Sequence, residues 1–585
     1  MKERWISDLS KCEPRNAIGR DGSPGEWIAV DYQAEPCPHF DGSGVMIFGV
    51  PGSDAPPLRI PIDVDGWHEI RIGIFYGMGA GTVEDRVLLA RLTGDAAYTR
   101  FYRESYVERK DGHYPWKSLR WFDLAEVFWK SADLTEQDII IARPPKGEEC
   151  GMETNLAYVR LVPMKQGAVE GVSAERPTPE THRLIANFDG GNIRRRGSCT
   201  REDFLSEFQA IRDSDFDIVL HAMARGTITL YPSRVGEFVR PQGFHRGGRI
   251  LRECVRRGRD PLAEVIEAAH ECGLKLFPQN RLVGVGIPTR HQLEDFGGKL
   301  MKDHPEWRCT YHDDEPLRHL SLAFQGVRDF HVRLMREWVE DYGADGVNVI
   351  FSRSFPFVYY EEPVRARFEE IYGEDMSGVP PEDVRSQKTR ATFVTEFLRE
   401  IRSMLDDVGR EQGRQISSCY LVPIQNSPAN LPEDASRTGL GECLFNALDV
   451  REWIGRDLVD YLVLHIHMYE EHDGTYMQPR IREFTQLARN TSTRVFADMY
   501  PRRMPPRKYR EIAISYYDAG ADGLAFWDFQ NRHPRASEIA FVKRLGHVKD
   551  LPEWKTKGRD YFRVIPLRRL DGFLTSREFA RPHDG

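Results

Sequence analysis

The sequence predicts an α/β protein: a (β/α)8 TIM barrel preceded by an N-terminal all-β sandwich. From residue 182 onward, near-continuous apolar runs of five to eight residues alternate with amphipathic helices, the grammar of a parallel sheet covered on both faces. Eight such runs fall within about 370 residues, one for each βα unit of a barrel with inserted loops. No GxGxxG follows any of them, which sets aside a doubly wound dinucleotide-binding sheet. Before residue 166 the chain carries short alternating runs between Gly, Pro and Asp turns, the pattern of a sandwich.

In chain order, the sandwich region (1–165) holds strand candidates at 44–48, 67–74, 87–92, 138–142 and 157–162. Trp67, Trp116, Trp121 and Trp129 fall among them; aromatics there either stack on sugar rings or fill the core. Residues 166–181 are small and polar with two prolines and no period, and read as a linker. The barrel (182–550) has strands β1 (184–189), β2 (217–221), β3 (274–280), β4 (346–352), β5 (416–421), β6 (461–467), β7 (495–500) and β8 (523–528). Helices are predicted over 261–272, 327–342 and 509–519, each amphipathic and each stopped by a glycine: Gly273, Gly343 and Gly520. Residues 551–585 are basic and aperiodic and read as a tail that packs back.

The 585 residues are 40% hydrophobic and 29% charged, with a formal net charge of −9. This is the profile of a soluble globular chain and argues against nucleic acid or an anionic membrane as partner. No apolar run approaches the roughly 18 residues of a membrane span. The first eight residues lack the apolar core of a signal peptide, so the cytoplasm is the default compartment, or the exterior if a leader has been removed. Nine scattered cysteines with no CxxC spacing predict neither a disulfide framework nor a zinc knuckle. No cofactor is implied, and the oligomeric state is left open. Of the 81 basic residues, 65 are arginine and 16 lysine. Such a bias reflects either codon usage or sites that grip carboxylates and phosphates bidentately.

Barrel chemistry sits at the C-terminal ends of the strands. Here those ends carry polar residues in otherwise apolar runs: Asp189, His221, Gln279, Asn280, Arg281, Ser352, Arg353, His465, His467, Asp498, Tyr500, Trp527 and Asp528. Burying them unpaired would cost on the order of 1–3 kcal/mol each, so they require partners or a ligand. Asp498 and Asp528 end adjacent strands, and a carboxylate pair roughly 5–10 Å apart is the machinery of glycoside hydrolysis. Alternatively, either could be an ion-pair partner of Arg502, Arg503 or Arg532. His465 and His467 share one side of β6, a spacing that fits a metal or sugar hydroxyls, but spacing offers no third ligand. After β4, an aromatic loop ends in Glu361 and Glu362, which either serve a sugar subsite or stabilise the N-terminus of the following helix.

Four stretches carry a resemblance: His304-Pro305-Glu306-Trp307; Leu320-Ser321-Leu322-Ala323 with Val327-Arg328-Asp329-Phe330; Tyr342-Gly343-Ala344-Asp345-Gly346-Val347-Asn348; and Leu458-Val459-Asp460-Tyr461-Leu462 with His465-Ile466-His467. They resemble the "HPEW", "N-x-x-x-P-x-V-R-D", "Y-x-x-D-G-[IV]-[HN]" and "L-V-D-Y-[IV]…Q-I-Y" segments of bacterial family-10-like glycosyl hydrolases, over about residues 182–530. The resemblance implies a (β/α)8 barrel and a carbohydrate substrate. Two departures stand out. The group's "H-x-D" acid at the end of β4 is replaced by Asn348-Val349-Ile350-Phe351-Ser352-Arg353, and "Q-I-Y" has become His465-Ile466-His467.

The reading that follows is a glycoside hydrolase in which Asp498 is nucleophile or base and Asp528, Glu361 or Glu362 is the acid. Asp189, His221, Asn280, Arg281, Arg353, His465, His467, Tyr500 and Trp527 bind substrate. Arg281 and Arg353 beside the acids extend this to an acidic glycan. The competing readings are a non-catalytic carbohydrate-binding barrel and a metal-dependent hydrolase or lyase built on His465, His467 and His221.

Overall fold

The computed structural model describes residues 3–75, 86–102, 123–145, 147–174, 176–190, 197, 199–241, 243, 247–282, 298–352, 355–425, 438–466, 477–500, 506–532, 535–553, 561–571 and 577–578. Its centre is the expected barrel. The observed strands are β1 Leu184–Phe188, β2 Phe216–Arg225, β3 Lys275–Arg281, β4 Gly346–Ile350, β5 Ser417–Gln425, β6 Tyr461–Ile466, β7 Arg494–Asp498 and β8 Gly523–Phe526. All neighbours are parallel, and β1 pairs with both β2 and β8, so the sheet closes.

The helices between them run within two or three residues of expectation: Pro261–Glu271, Gln325–Glu340 and Pro506–Asp518. Asp260 caps the first, accepting from the Leu262 amide at 2.9 Å with Pro261 in the first turn. Gly273, Gly343 and Gly520 all take positive φ, which is why a glycine stands at each stop. Apolar faces of helices and strands meet in one core outside the barrel, around Trp338, Phe397, Leu464 and Tyr516. A second, separate core fills the lumen: Ile185, Leu220, Phe277, Ile350, Leu421, Val463 and Phe496.

The N-terminal region forms three sheets, antiparallel apart from the parallel pairing of Ile18–Gly19 with Trp27–Ala34. The expected runs are strands Ser43–Gly49, Trp67–Phe75, Val87–Leu92, Ile139–Ala142 and Tyr158–Pro163, joined by Trp27–Ala34 and Leu124–Asp133, among others. Trp129 lies in the core, edge-on to Phe101 at 5.6 Å, so it is a packing residue; Trp67 is half-buried, and Trp116 and Trp121 lie outside the described residues.

Two segments carry secondary structure that periodicity does not show. Gln166–Ala174, within the stretch read as a linker, is a helix. It is mostly exposed and carries no apolar stripe, so periodicity has nothing to detect there. The aperiodic tail supplies strands: Phe562–Ile565 pairs antiparallel with Leu124–Asp133, and Leu567–Leu570 with Trp27–Ala34. Four-residue strands whose partners lie over 400 residues away leave no local signature.

Candidate active site

Along a strand, alternate residues face the same side. Continuing each lumen-facing row upward from the apolar floor reaches Asn187 on β1, Gln279 and Arg281 on β3, His465 on β6, Asp498 on β7 and Trp527 after β8. The upper end of the barrel is thus a polar layer on a hydrocarbon base.

His465 and Asp498 form its centre. The His465 Nδ1–H donates to Asp498 Oδ2 at 2.8 Å, and the Trp527 amide donates to Asp498 Oδ1 at 3.1 Å. Both side chains are buried, His465 at 0% and Asp498 at 1% exposure. The bond to the carboxylate fixes the imidazole tautomer and its plane. The His465 ring also lies 4.4 Å from the Trp527 ring. Arg281 stacks over the other part of this group, its guanidinium carbon 5.6 Å from the Trp527 centroid, and donates to Asp189 Oδ1 at 2.6 Å. Arg225 at the end of β2 donates to the Asp189 carbonyl at 3.2 Å. Burial lowers the Arg225 pKa to about 10, partly offset by Asp189 and Asp528.

Asp528 follows β8 at the mouth. Its backbone is left-handed (φ 48°), a conformation Asp tolerates better than most residues, and its amide is held by Asn187 Oδ1 at 3.3 Å. Asn187 Nδ2 in turn donates to Gln279 Oε1. Asp189, Arg281, Trp527, His465 and Asp498 are therefore brought together, and the backbone of Asp528 is tied to the same layer through Asn187.

Other expected site residues are elsewhere. His221 faces away from the lumen: its Nε2–H donates to Glu207 Oε2 at 3.2 Å in the strand–helix layer, against Phe188. That removes it from any cluster with His465. Asn280 also faces outward, donating from Nδ2 to His331 Nδ1 at 3.1 Å and to the Gly226 carbonyl at 3.2 Å. Glu361 is 2% exposed and accepts from the amides of Thr310 (3.0 Å) and Tyr359 (2.9 Å). Burial pushes its carboxyl up, against those two hydrogen bonds. It anchors the loop after β4 and is not at the mouth. Glu362 is exposed in the first turn of helix Glu362–Tyr372, where it suits the helix dipole. Tyr500 is half-buried against the strand–helix core. Arg353, His467, Arg502 and Arg503 lie outside the described residues. Among the described residues, no three His, Cys, Asp or Glu side chains converge as metal ligands.

Two outcomes follow from these buried groups. Glu361→Ala strands the Thr310 and Tyr359 amides and should lower stability by about 1–3 kcal/mol in urea unfolding. His331 accepts from Asn280 through a neutral ring, and burial lowers its pKa from 6.5 to about 4. The folded state therefore disfavours the proton. The contribution is complete above pH 6.5 and is lost as pH falls toward 4, about 2 kcal/mol of it by pH 5. His319, also lowered to about 4, acts in the same direction. Urea midpoints at pH 7.5 and 5 should differ less in His331→Gln, whose amide oxygen still accepts from Asn280, than in wild type.

Two residues of the polar layer escaped sequence reading, Asn187 and Arg225, and Gln279, read as a polar strand-end residue, was given no substrate role. Strand parity could have supplied that role. Asn280 and Arg281 are consecutive, so only one can face the lumen, and the residue sharing a face with Arg281 is Gln279.

A closed eight-stranded parallel barrel with its polar cluster at the C-terminal strand ends is a (β/α)8 barrel with its candidate site where the chemistry of this fold sits. A sequence model of the glycosyl hydrolase-like 10 family matches residues 200–511, more than half of the chain, and the chain belongs to that family. No curated protein matches it. Among solved structures, it is similar to α-L-fucosidase isoenzyme 2 of Paenibacillus thiaminolyticus (16% identity, 64% of this chain and 50% of that one, TM-score 0.39). It is also similar to the β-galactosidase of the psychrophilic Marinomonas ef1 (12%, 65% and 61%, TM-score 0.38). The endo-β-1,4-mannanase of Thermotoga petrophila is a further match (13%, 65% and 78%, TM-score 0.36). The chain thus spans half of the fucosidase and about three-fifths of the galactosidase.

Proposed function

We propose that this chain hydrolyses O-glycosidic bonds of a poly- or oligosaccharide at the C-terminal end of its barrel. The observation that supports this is Asp498 at the end of β7, fixed by His465 and the Trp527 amide, with a second acid, Asp528, two residues past the adjacent β8. Asp528 protonates the leaving oxygen, and Asp498 is the ionised partner that acts as nucleophile or base. Trp527 supplies an aromatic edge to the subsite, backed by Arg281 and Asp189. The acidic-glycan expectation rested on Arg281 and Arg353. Asp189 neutralises Arg281 at 2.6 Å, so the proposal carries no charge requirement on the sugar.

One observation favours a second reading, a carbohydrate-binding barrel without turnover: the end of β4 presents buried Ser352 where the resemblance leads one to expect an acid. Full-length protein assayed across a panel of poly- and oligosaccharides, for both reducing-end release and calorimetric binding, separates the two. Release by wild type, lost in Asp528→Asn, supports hydrolysis. Binding without release moves the conclusion to the second reading, and the absence of both overturns each.

A further inference from the structure

Of the nine cysteines, two are paired: Cys199 and Cys254 form a disulfide, with Cα atoms 5.4 Å apart, well within bridging distance. Cys199 immediately precedes Thr200, whose side chain and that of Asp203 form a reciprocal capping box on helix Arg201–Phe208. Cys254 sits in helix Gly247–Arg256. Both side chains are buried, at 5% and 0% exposure. The bridge therefore joins the segment leaving β1 to the segment leaving β2, closing a loop of 55 residues that contains β2 itself. The first of those strands leads into Asp189 and the second ends in Arg225.

The other seven cysteines are of a different kind. Cys12, Cys272, Cys309, Cys419 and Cys443 are buried, and burial holds each thiol above its ordinary range, Cys12 at about 12 and Cys272 at about 11. Thiols held protonated are poor nucleophiles and do not enter exchange. Cys37 and Cys150 are half-buried.

We infer that Cys199–Cys254 is an oxidative modification made during maturation in an oxidising compartment, where it ties the segment that leaves β1 to the helix that follows β2. Stable disulfides belong to such compartments and are rare in a reducing cytosol. This displaces the cytoplasmic expectation. In forming it, the two thiols lose two protons and two electrons to the disulfide of a thiol oxidoreductase, which is reduced to its dithiol. The inference is independent of which glycan the barrel takes.

The test produces the full chain twice, in the bacterial cytosol and by export to the periplasm, blocks thiols at lysis, and counts blocked cysteines by intact mass under denaturing conditions without reductant. The exported protein should show seven blocked cysteines, with a non-reducing peptide map linking Cys199 to Cys254, and the cytosolic protein nine. Nine in the exported protein, or a different linked pair, overturns the modification; seven in both overturns the compartment. If export yields no protein, cytosolic chain incubated with oxidised glutathione serves instead: closure of this pair supports the inference, and nine persistent thiols overturn it. Reductant should also lower the thermal midpoint of the oxidised wild type by several degrees while leaving that of a Cys199→Ser/Cys254→Ser double variant unmoved.

Discussion

Asp528→Asn should lower the rate of glycan cleavage by at least about 100-fold, the scale set by loss of a general acid, with little change in thermal midpoint. Asparagine suits this test for a specific reason. Residue 528 has φ 48°, and Asn is among the few residues that accept the left-handed region, so the backbone need not move. Asp498→Asn should cost at least as much. Its carbonyl oxygen can still accept from the Trp527 amide or from His465 Nδ1–H, but one amide oxygen cannot replace two carboxylate oxygens for both donors. The ring of His465 then loses its anchor beneath Trp527. A falling kcat at near-constant KM is expected for Asp528→Asn, because the proton is needed only in the transition state. Wild-type turnover in either variant excludes the two-carboxylate proposal.

The largest stability effect is expected outside the barrel sheet, at Glu126. This carboxylate is 0% exposed and accepts from Arg563 through two bonds of 2.7 and 2.8 Å, from Arg160 at 3.0 Å and from the Tyr158 hydroxyl at 3.1 Å, with Arg71 3.7 Å away. Removing this acceptor leaves Arg563 without its carboxylate partner and the buried Tyr158 hydroxyl without its acceptor, while Arg160 keeps Glu3 and Arg71 keeps Glu69, so Glu126→Ala should destabilise by about 3 kcal/mol. Glu126→Gln preserves volume but not charge and should be nearly as damaging. The effect has a direction as well as a size. Arg563 belongs to Phe562–Ile565, the strand that returns from the C-terminus to the five-stranded sheet. Limited trypsin digestion of either variant should therefore cut first near Arg563, before the barrel opens. Unchanged urea midpoints and an unchanged digestion order would show that the sheet holds that strand without the ion cluster.

The barrel was legible because its signal is local. Most strands are apolar runs, several of them followed by a polar residue, and the helices Pro261–Glu271, Gln325–Glu340 and Pro506–Asp518 are amphipathic stripes stopped by glycine; these patterns depend only on residues a few positions apart. The candidate site was legible in part for the same reason: Asp498, Trp527 and Asp528 are the polar residues at which the runs of β7 and β8 end. His221, Asn280 and Glu361 were misplaced because a strand end offers two faces. His221 and Asn280 found partners, Glu207 and His331, on helices that only packing brings near. Glu361 turned back onto the amides of Thr310 and Tyr359.

What the sequence determined by itself is the alternation of strand and helix, the closure into eight βα units and the identity of the acids at the last two strand ends. These follow from hydrophobic periodicity and turn chemistry, which act over one or two turns of chain. The tertiary structure alone decided the rest: that residues 562–570 complete sheets begun more than 400 residues earlier, that Cys199 meets Cys254, and that His465 closes on Asp498. Each of these joins segments whose proximity is fixed by the packing of the whole molecule, where burial of apolar faces sets the geometry and the polar partners follow from it.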